Sequence, residues 1–182
     1  MSEREVLLTG IGGQGVQLAA RVLAEAAIVD GKEVQFFASY GGMMRGGNTD
    51  ATVVVADEPI DAPPVVAKAW AVLGIHPAHL ADPLARLRGD GILLLNTSVV
   101  EVDGVESPDG VTRLELACST VAHDVGNPMA GALVAVGALA ASTGLVELAS
   151  LEAGVDRALP SYRRQHVESS VAAIRAGAEL VA

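Results

Sequence analysis

The residues of this sequence that could carry chemistry begin with a cluster of glycines near its start. Gly10, Gly12 and Gly15 have the spacing G-x-G-x-x-G, and Gly13 adds a fourth glycine to the same loop. Glycines at these positions allow a sharp turn, close approach of the backbone to a phosphate, and close packing of a helix on a strand. Because the first N–H groups of the following helix carry partial positive charge, the loop predicts an anion-binding site.

A second glycine-rich loop follows the next predicted strand, and it contains Ser39, Tyr40, Arg45, Gly46 and Gly47. The guanidinium group of an arginine suits a phosphate or a carboxylate. A fold that binds NAD usually has Asp or Glu at the end of this strand for the ribose hydroxyls, and that acid is missing here. The two loops together therefore favour a phosphorylated ligand other than NAD, or a loop of a partner protein.

Polar residues follow the other predicted strands, and each has a structural interpretation beside the functional one. His76 and His79 flank Pro77, but no carboxylate or cysteine lies nearby in the sequence, so loop capping is favoured over metal binding. Asn96 ends the most apolar strand, and Asn127 is expected to cap the helix that follows it. Since no nucleophile, base and orienting acid form a recognisable arrangement, the sequence predicts neither catalytic residues nor a metal site in this chain.

The composition limits the classes of protein that remain. The chain has 182 residues, of which 51% are hydrophobic and 3% aromatic, and its formal net charge is −10. These values argue against nucleic acid as a partner, because nucleic acid is bound largely through Lys and Arg. The single cysteine, Cys118, is expected to be an inert thiol at the end of a buried strand, and it cannot hold an iron–sulfur cluster. Without a leader pattern or a long apolar run, we expect one cytoplasmic domain over residues 1–182.

The alternation of strand and helix patterns predicts an α/β fold that is Rossmann-like, with a mainly parallel sheet and helices on both faces. We predict strands ahead of Gly10 and over 33–38, 50–56, 69–75, 92–95 and 112–118, and helices over 14–29, 77–87, 127–141 and 150–159 and after Ser161. Residues 99–111 are expected to form a small hairpin, residues 119–126 a connection, and Ser150 and Ser161 helix caps. The glycine loops and polar strand ends should then meet at the carboxyl edge of the sheet.

Four motifs of the sequence occur together in a fixed order. They are Gly10 to Val16, then Ser39-Tyr40-Gly41 with Arg45-Gly46-Gly47, then Asn96 after an apolar strand, and Gly126-Asn127-Pro128 before an alanine-rich helix. With these motifs the chain resembles, over nearly its whole length, the gamma subunit of the 2-oxoacid:ferredoxin oxidoreductases, which includes the pyruvate/ketoisovalerate oxidoreductase family. The sequence departs from the family at Gly42 and Met43, where the family commonly has Pro-Glu.

The resemblance implies a function within a larger complex. The holoenzyme of this family decarboxylates a 2-oxoacid oxidatively, transfers the acyl group to coenzyme A and passes the electrons to ferredoxin. The resemblance implies that this chain supplies the coenzyme A site or covers the active site and is inactive alone, whereas thiamine diphosphate, Mg²⁺ and iron–sulfur clusters belong to sister subunits. The residues expected to bind the ligand are Gly10, Gly12, Gly13, Gln14, Gly15, Ser39, Tyr40, Arg45, Gly46, Gly47, Asn96 and Asn127.

Two other functions stay open at this point. In the first, the chain is an assembly subunit whose loops only complete an interface, which Met43 and Met44 would favour as adaptable contact residues. In the second, it is a stand-alone nucleotide-binding oxidoreductase, which the missing ribose carboxylate opposes. The expected partners are sister subunits, and the isolated chain could form a homodimer.

Overall fold

A computed structural model describes residues 3–40, 47–60 and 66–182, with only the backbone of Tyr40. Its strands form one six-stranded sheet in the order β2-β3-β1-β4-β5-β6. The strands are β1 (Arg4–Ile11), β2 (Glu33–Tyr40), β3 (Asn48–Ala56), β4 (Ala69–Gly74), β5 (Leu87–Asn96) and β6 (Thr112–Leu116). The α-helices are α1 (Val16–Val29), α2 (Ala81–Arg86), α3 (Cys118–Asp124), α4 (Gly131–Thr143), α5 (Leu148–Ala158) and α6 (Val167–Glu179). Short 3₁₀ helices cover Pro77–His79, Val102–Gly104 and Ser161–His166.

The sheet is mainly parallel, as the sequence predicts. Strands β1, β4, β5 and β6 pair in parallel, and β3 pairs antiparallel with both β1 and β2. The order of the loops in the sequence suggests that they follow strands that are adjacent in the sheet, but this is wrong, because β3 lies between β1 and β2. The loop after β2 nevertheless returns to the carboxyl end of β1, since the register pairs Ile11 with Asn48.

The helices are distributed unevenly over the two faces of the sheet. The larger core cluster joins one face of the sheet to α1, α3, α4, α5 and α6, whereas α2 and irregular segments cover the other face. Alanines dominate the buried side of α1, so its backbone packs close to the strands. The sheet face and the start of α1 together fix the direction in which the first glycine loop points. None of the helices in the described ranges is long and apolar enough to cross a membrane.

The helical boundaries differ from the sequence-based expectation at four places. Residues 119–126 are not a simple connection, because α3 begins at Cys118, which is therefore the first residue of a helix and not the last of a strand. The predicted helix over 77–87 divides into a 3₁₀ turn and the short α2. In residues 99–111 the structure has a 3₁₀ turn and irregular backbone instead of a hairpin. A 3₁₀ helix precedes α6, so Ser161 does not cap that α-helix.

Two residues that were predicted as helix caps make other contacts in the structure. Helix α4 begins at Gly131, and Asn127 instead starts a turn in which its carbonyl accepts a hydrogen bond from the Ala130 amide, at 2.9 Å. Ser150 lies inside α5, where its hydroxyl donates to the Asp30 carboxylate. The same carboxylate accepts the Glu147 amide at 2.8 Å, so a residue just after α1 satisfies the start of α5.

Candidate functional site

The first glycine loop is held in shape by its own hydrogen bonds. The Gln14 amide donates to the carbonyl of Ile11 at 3.3 Å, and this closes a turn over Gly12 and Gly13. The Ile11 amide donates to Oε1 of Gln14 at 3.0 Å. Gln14 was predicted as a ligand residue, but its side-chain oxygen accepts this hydrogen bond and stabilises the loop.

The glycines of the loop meet different requirements. A Cβ atom at Gly10 would lie 2.8 Å from Cγ2 of Val16, so this glycine allows α1 to approach β1 closely. Gly13 and Gly15 have φ values of 103° and 75°, a region that L side chains rarely adopt. A Cβ at Gly15 would also lie 2.6 Å from the carbonyl oxygen of Met129, whereas at Gly13 no atom of the described residues lies within 4 Å.

The start of α1 presents several backbone donors beside the glycine loop. Gly15 is the N-cap of α1 in a left-handed conformation, and no side chain caps this end of the helix. Within the described ranges, no acceptor receives the amides of Gly13, Gly15, Val16, Gln17 and Leu18. Helix geometry leaves the first-turn amides without partners in the helix, and the helix dipole adds positive potential at the same place. This arrangement favours a bound anion.

The second glycine-rich loop returns against the first. The Gly12 amide donates to the carbonyl of Gly47 at 3.0 Å, and Nε2 of Gln17 donates to the carbonyl of Ser39 at 3.5 Å. The described ends of the second loop, Ser39 and Gly47, therefore lie against the first loop and the start of α1 at the carboxyl edge of the sheet. Arg45, Gly46, the predicted Met43 and Met44 contacts and the departure at Gly42 lie outside the described residues, as does the side chain of Tyr40. Their roles stay predictions.

Beside the loops lies a cleft with a volume of about 800 Å³. Its walls come from the first loop, the start of α1, strands β2 and β3, the start of α4, and the segment joining α5 to α6. The described residues that line it are Ile11, Gly12, Gly13, Gly15, Val16, Gln17, Leu18, Arg21, Phe36, Ala38, Thr49, Asn127, Met129, Ala130, Leu133, Ala158, Leu159, Pro160, Tyr162, Arg163, His166 and Ser170. This volume falls in the range that binds cofactor-sized ligands, about 300–1,000 Å³.

The charge of the cleft differs from that of the whole chain. The net charge is −10, yet the described lining residues include Arg21, Arg163 and His166 and no Asp or Glu. Neither arginine forms an ion pair with any residue of the described ranges. The guanidinium carbon of Arg163 lies 5.6 Å from the ring centroid of Tyr162. Local donors thus create a positive site on an acidic protein.

Arg21, Arg163 and His166, the cationic residues of the cleft, are not among the residues that the sequence predicts to bind a ligand. Two signals in the sequence point to them. Arg21 stands one helical turn after Gln17, so both lie on the face of α1 that begins at the glycine loop. Arg163 and His166 belong to a basic run, Arg163-Arg164-Gln165-His166, which is unusual in so acidic a chain.

The other predicted site residues divide into those that reach the cleft and those that do not. Asn127 lines the cleft, and its Nδ2 donates to Oγ of Ser169 at 3.1 Å. Asn96 is fully buried away from it: its amide donates to the Ile75 carbonyl at 3.1 Å and to Oγ of Ser119 at 2.8 Å. Its Oδ1 accepts the amides of Ser119 and Ser98 at 3.1 and 3.4 Å, so it links β5 to α3 and has no group left for a ligand.

His76 and Cys118 have structural roles. Nδ1 of His76 accepts the Ala78 amide at 3.2 Å, which confirms loop capping. Burial raises the pKa of the Cys118 thiol to about 12, so the thiol is neutral at physiological pH. No group of three or more His, Cys, Asp or Glu in the described ranges could hold a metal ion.

Comparison with known proteins identifies the family. The sequence profile of the pyruvate ferredoxin/flavodoxin oxidoreductase family matches residues 5–180. The chain is 31% identical to the 2-oxoglutarate synthase subunit KorC of Methanothermobacter marburgensis, over 98% of this chain and 96% of that protein. It is also 31% identical to the common gamma subunit of the pyruvate/ketoisovalerate oxidoreductases of Pyrococcus abyssi, over 83% of this chain and 84% of that protein.

Solved structures have the same fold. The gamma subunit of a keto/oxoacid ferredoxin oxidoreductase from Geobacter sulfurreducens superposes with a TM-score of 0.83 at 30% identity, covering 100% of this chain and 97% of that one. The 2-oxoglutarate:ferredoxin oxidoreductase of Magnetococcus marinus, solved with 2-oxoglutarate, coenzyme A and succinyl-CoA, gives a TM-score of 0.85 at 16% identity. It covers 100% of this chain and 31% of the larger chain, and shows the shared fold alone. The chain therefore belongs to the pyruvate ferredoxin/flavodoxin oxidoreductase family, in which it corresponds to the gamma subunit of the 2-oxoacid:ferredoxin oxidoreductases.

Proposed function

We propose that this chain works as the gamma subunit of a complex that oxidises a 2-oxoacid, and that its cleft binds the phosphates of coenzyme A. In the overall reaction, the bond between the carboxylate and the oxo carbon breaks and releases carbon dioxide. A bond forms between the oxo carbon and the sulfur of coenzyme A, the thiol proton is released, and the electron pair reduces ferredoxin. Thiamine diphosphate, Mg²⁺ and the iron–sulfur clusters are assigned to sister subunits, as the resemblance implies.

The observation that carries this proposal is the chemistry of the cleft lining. The amides of Gly13 and Gly15, which have no acceptor among the described residues, lie at the start of α1, and Arg21 adds a guanidinium about one turn further along the same helix. No carboxylate lines the described part of the cleft, although acidic residues outnumber basic ones by 22 to 12 in the chain. A pyrophosphate is the part of coenzyme A that such donors would bind, as at other glycine loops that precede a helix.

The function of the cleft is positioning rather than bond breaking. Backbone amides and a helix dipole hold phosphates without a change of protonation, so they fix the nucleotide while its thiol reacts elsewhere. The Magnetococcus marinus enzyme, which shares this fold, was solved with coenzyme A bound, and this supports the choice of ligand. The Gly12 amide donates to the carbonyl of Gly47, two residues after Arg45 in the sequence, and we therefore include Arg45 in the proposal as a second cation for the phosphates.

The test uses the complex purified with its sister subunits through a tag on this chain. Arg21→Gln should raise the KM for coenzyme A about tenfold or more, because one charge-assisted hydrogen bond contributes about 1.5–3 kcal/mol. The KM for the 2-oxoacid should not change. The matched control is Arg157→Gln, which removes an exposed arginine that pairs with Glu25 and does not line the cleft. An unchanged KM for coenzyme A in Arg21→Gln would contradict the proposed site.

The two alternatives to this function predict different results. An assembly subunit without a ligand predicts that Arg21→Gln alters neither KM and that coenzyme A does not bind the chain. A stand-alone NAD-dependent enzyme predicts saturable binding of NADH to the isolated chain, which a fluorescence titration measures. No carboxylate in the described cleft lining could accept hydrogen bonds from the ribose hydroxyls of NADH, so we expect the isolated chain not to bind NADH.

A further inference from the structure

We propose that strand β2 pairs antiparallel with β2 of a second copy of this chain, so that the two sheets join into one continuous sheet across a two-fold axis. Strand β2 lies at the edge of the sheet, with β3 on one side and no strand on the other among the described residues. A dimer formed in this way does not require the proposed coenzyme A site. The backbone groups, side chains and length of β2 all fit a second copy as its partner.

The hydrogen-bond pattern of the sheet shows which backbone groups of β2 point outward. The Gly12 amide donates to the Gly47 carbonyl at 3.0 Å, and these two residues extend the β1–β3 register by one pair. In antiparallel strands, residues that bond one neighbour alternate with residues that point away from it. Followed from β1 to β3 and then to β2, this rule directs the N–H and C=O groups of Val34, Phe36 and Ala38 away from the sheet. Outside the sheet, no backbone hydrogen bond in the described part of the chain involves these residues.

The side chains of β2 are unusual for an edge that faces water. Both phenylalanines of the chain lie side by side in this strand, and Phe36 and Phe37 are 40% and 51% exposed. The strand has one charged residue, Glu33, at its start. The opposite edge strand, β6, instead carries Arg113 and Glu115, which form an ion pair at 2.7 Å. Since charges on an edge strand oppose pairing with another chain, β2 is the edge that favours it.

Strand β2 also complements itself. With Phe36 on the two-fold axis, the outward-pointing residues of the two copies meet, because Phe36 lies opposite Phe36 and Val34 lies opposite Ala38 of the second copy. Glu33 lies opposite Ser39 of the second copy, so no like charges face each other, although each copy has a net charge of −10. Aromatic residues that lie directly opposite each other stabilise such strand pairs.

The length of the edge determines how strong this association is. The 8 residues of β2 extend about 27 Å, and with side chains on both faces the edge covers roughly 500 Å² on each copy. Pairing therefore buries roughly 1,000 Å² in total, the low end for a specific interface. We expect a reversible dimer that is populated at about 100 µM chain and dissociates on dilution. Since Phe36 also lines the cleft, the clefts of the two copies would lie side by side in the dimer.

The first experiment measures the mass of the full chain by sedimentation. At about 100 µM the unmodified chain should have twice the mass of one copy, which is 18.5 kDa, and it should approach the mass of one copy after about hundredfold dilution. Phe36→Lys should remove the dimer, because two like charges would then meet on the axis. The matched control is Val99→Lys, which changes an apolar side chain that is 43% exposed and lies after β5, far from β2 in the sheet. This control should keep the dimer.

The second experiment tests the register with a disulfide. Residues in a hydrogen-bonded antiparallel pair have Cα atoms about 5.5 Å apart, a distance that a disulfide spans. Phe36→Cys should therefore give a cross-linked dimer on mild oxidation. Val34→Cys alone should not cross-link, whereas a mixture of Val34→Cys and Ala38→Cys should. The native Cys118 is buried and should not take part.

Three results would overturn the assignment of a second copy to this edge. The first is a chain that stays monomeric at this concentration and gives no cross-link through Phe36→Cys. The second is a dimer that survives Phe36→Lys, because it must use another surface. The third is a monomeric chain whose Phe36→Lys variant no longer co-purifies with the sister subunits, since β2 would then bind a sister strand. The coenzyme A site is tested separately by Arg21→Gln, so it can fail or hold independently of the dimer.

Discussion

Gly13 and Gly15 offer a direct test of how the glycine loop is built, because they differ in what an added methyl group would meet. Both have positive φ, so alanine at either position is strained by about 1–2 kcal/mol. At Gly15 the new Cβ would also lie 2.6 Å from the Met129 carbonyl oxygen, whereas a Cβ at Gly13 would have none of the described atoms within 4 Å. The backbone and side-chain shifts that remove this overlap cost roughly 1–3 kcal/mol more. We therefore expect Gly13→Ala to lose about 1–2 kcal/mol of stability and Gly15→Ala about 2–5 kcal/mol.

The assay is urea unfolding followed by the fluorescence of Trp70. This residue is the single tryptophan of the chain, and it is 8% exposed in the folded state, so its emission should report the loss of the core. With a urea m-value of about 1–3 kcal/mol/M, the midpoints of the two variants should differ by roughly 1 M. If Gly15→Ala were as stable as Gly13→Ala, the turn at Met129 would not lie against the start of α1, and this wall of the cleft would be wrongly placed.

The same pair of variants separates stability from binding. The methyl group of Gly13→Ala would extend into the open cleft, where the phosphates are proposed to lie. We expect this variant to bind coenzyme A about tenfold more weakly or worse, a loss of about 1.4 kcal/mol or more, despite its smaller effect on stability. Calorimetric titration of the folded variant measures the binding. Unchanged affinity in Gly13→Ala would contradict the proposed position of the phosphates.

The remaining predictions concern the scaffold. Asn96→Ala should reduce the unfolding free energy by about 2–4 kcal/mol, because it removes hydrogen bonds that join β5 to α3; a loss below about 0.5 kcal/mol would refute that role. Asp30→Ala should lower the free energy of unfolding by about 1–2 kcal/mol, because the Glu147 amide at the start of α5 loses its acceptor. An unchanged free energy of unfolding would contradict this capping contact. Cys118 should label very slowly with a thiol reagent at pH 8, since a pKa of about 12 leaves about one thiolate in ten thousand, and rapid labelling of the folded chain would contradict its burial.

Local signals explain what the sequence could predict of this fold. The change from an apolar run to spaced glycines and then to a helical pattern lies within one continuous stretch, so β1, the loop and α1 could be placed from it. The mainly parallel sheet follows from the alternation of elements. The antiparallel β3 between β1 and β2 did not follow, because strand order depends on contacts between segments far apart in the chain. The family resemblance rests on the same local motifs, and the comparisons confirm it.

The parts of the site that were missed depend on long-range packing. Tyr162 and Arg163 lie far from the glycine loop in sequence and join it only because α5 packs on α1. Asn127 and Ser150 look like helix caps locally, yet Ser169 and Asp30 are their partners in space. Asn96 lies at a strand end, where ligand residues are often found. Its side chain instead forms hydrogen bonds to the start of α3 and so stabilises the fold. A one-dimensional pattern does not contain these pairings.

The most direct measurement of the central claim is a titration of the ¹⁵N-labelled chain with coenzyme A, followed by NMR. At 18.5 kDa the chain is small enough for individual amide signals to be assigned. We predict that the largest chemical-shift changes occur at the amides of Gly13, Gly15 and Gln17, with smaller changes at Tyr162 and Arg163. A titration that leaves the Gly13 and Gly15 signals in place, or that moves signals only outside the cleft, would contradict this prediction.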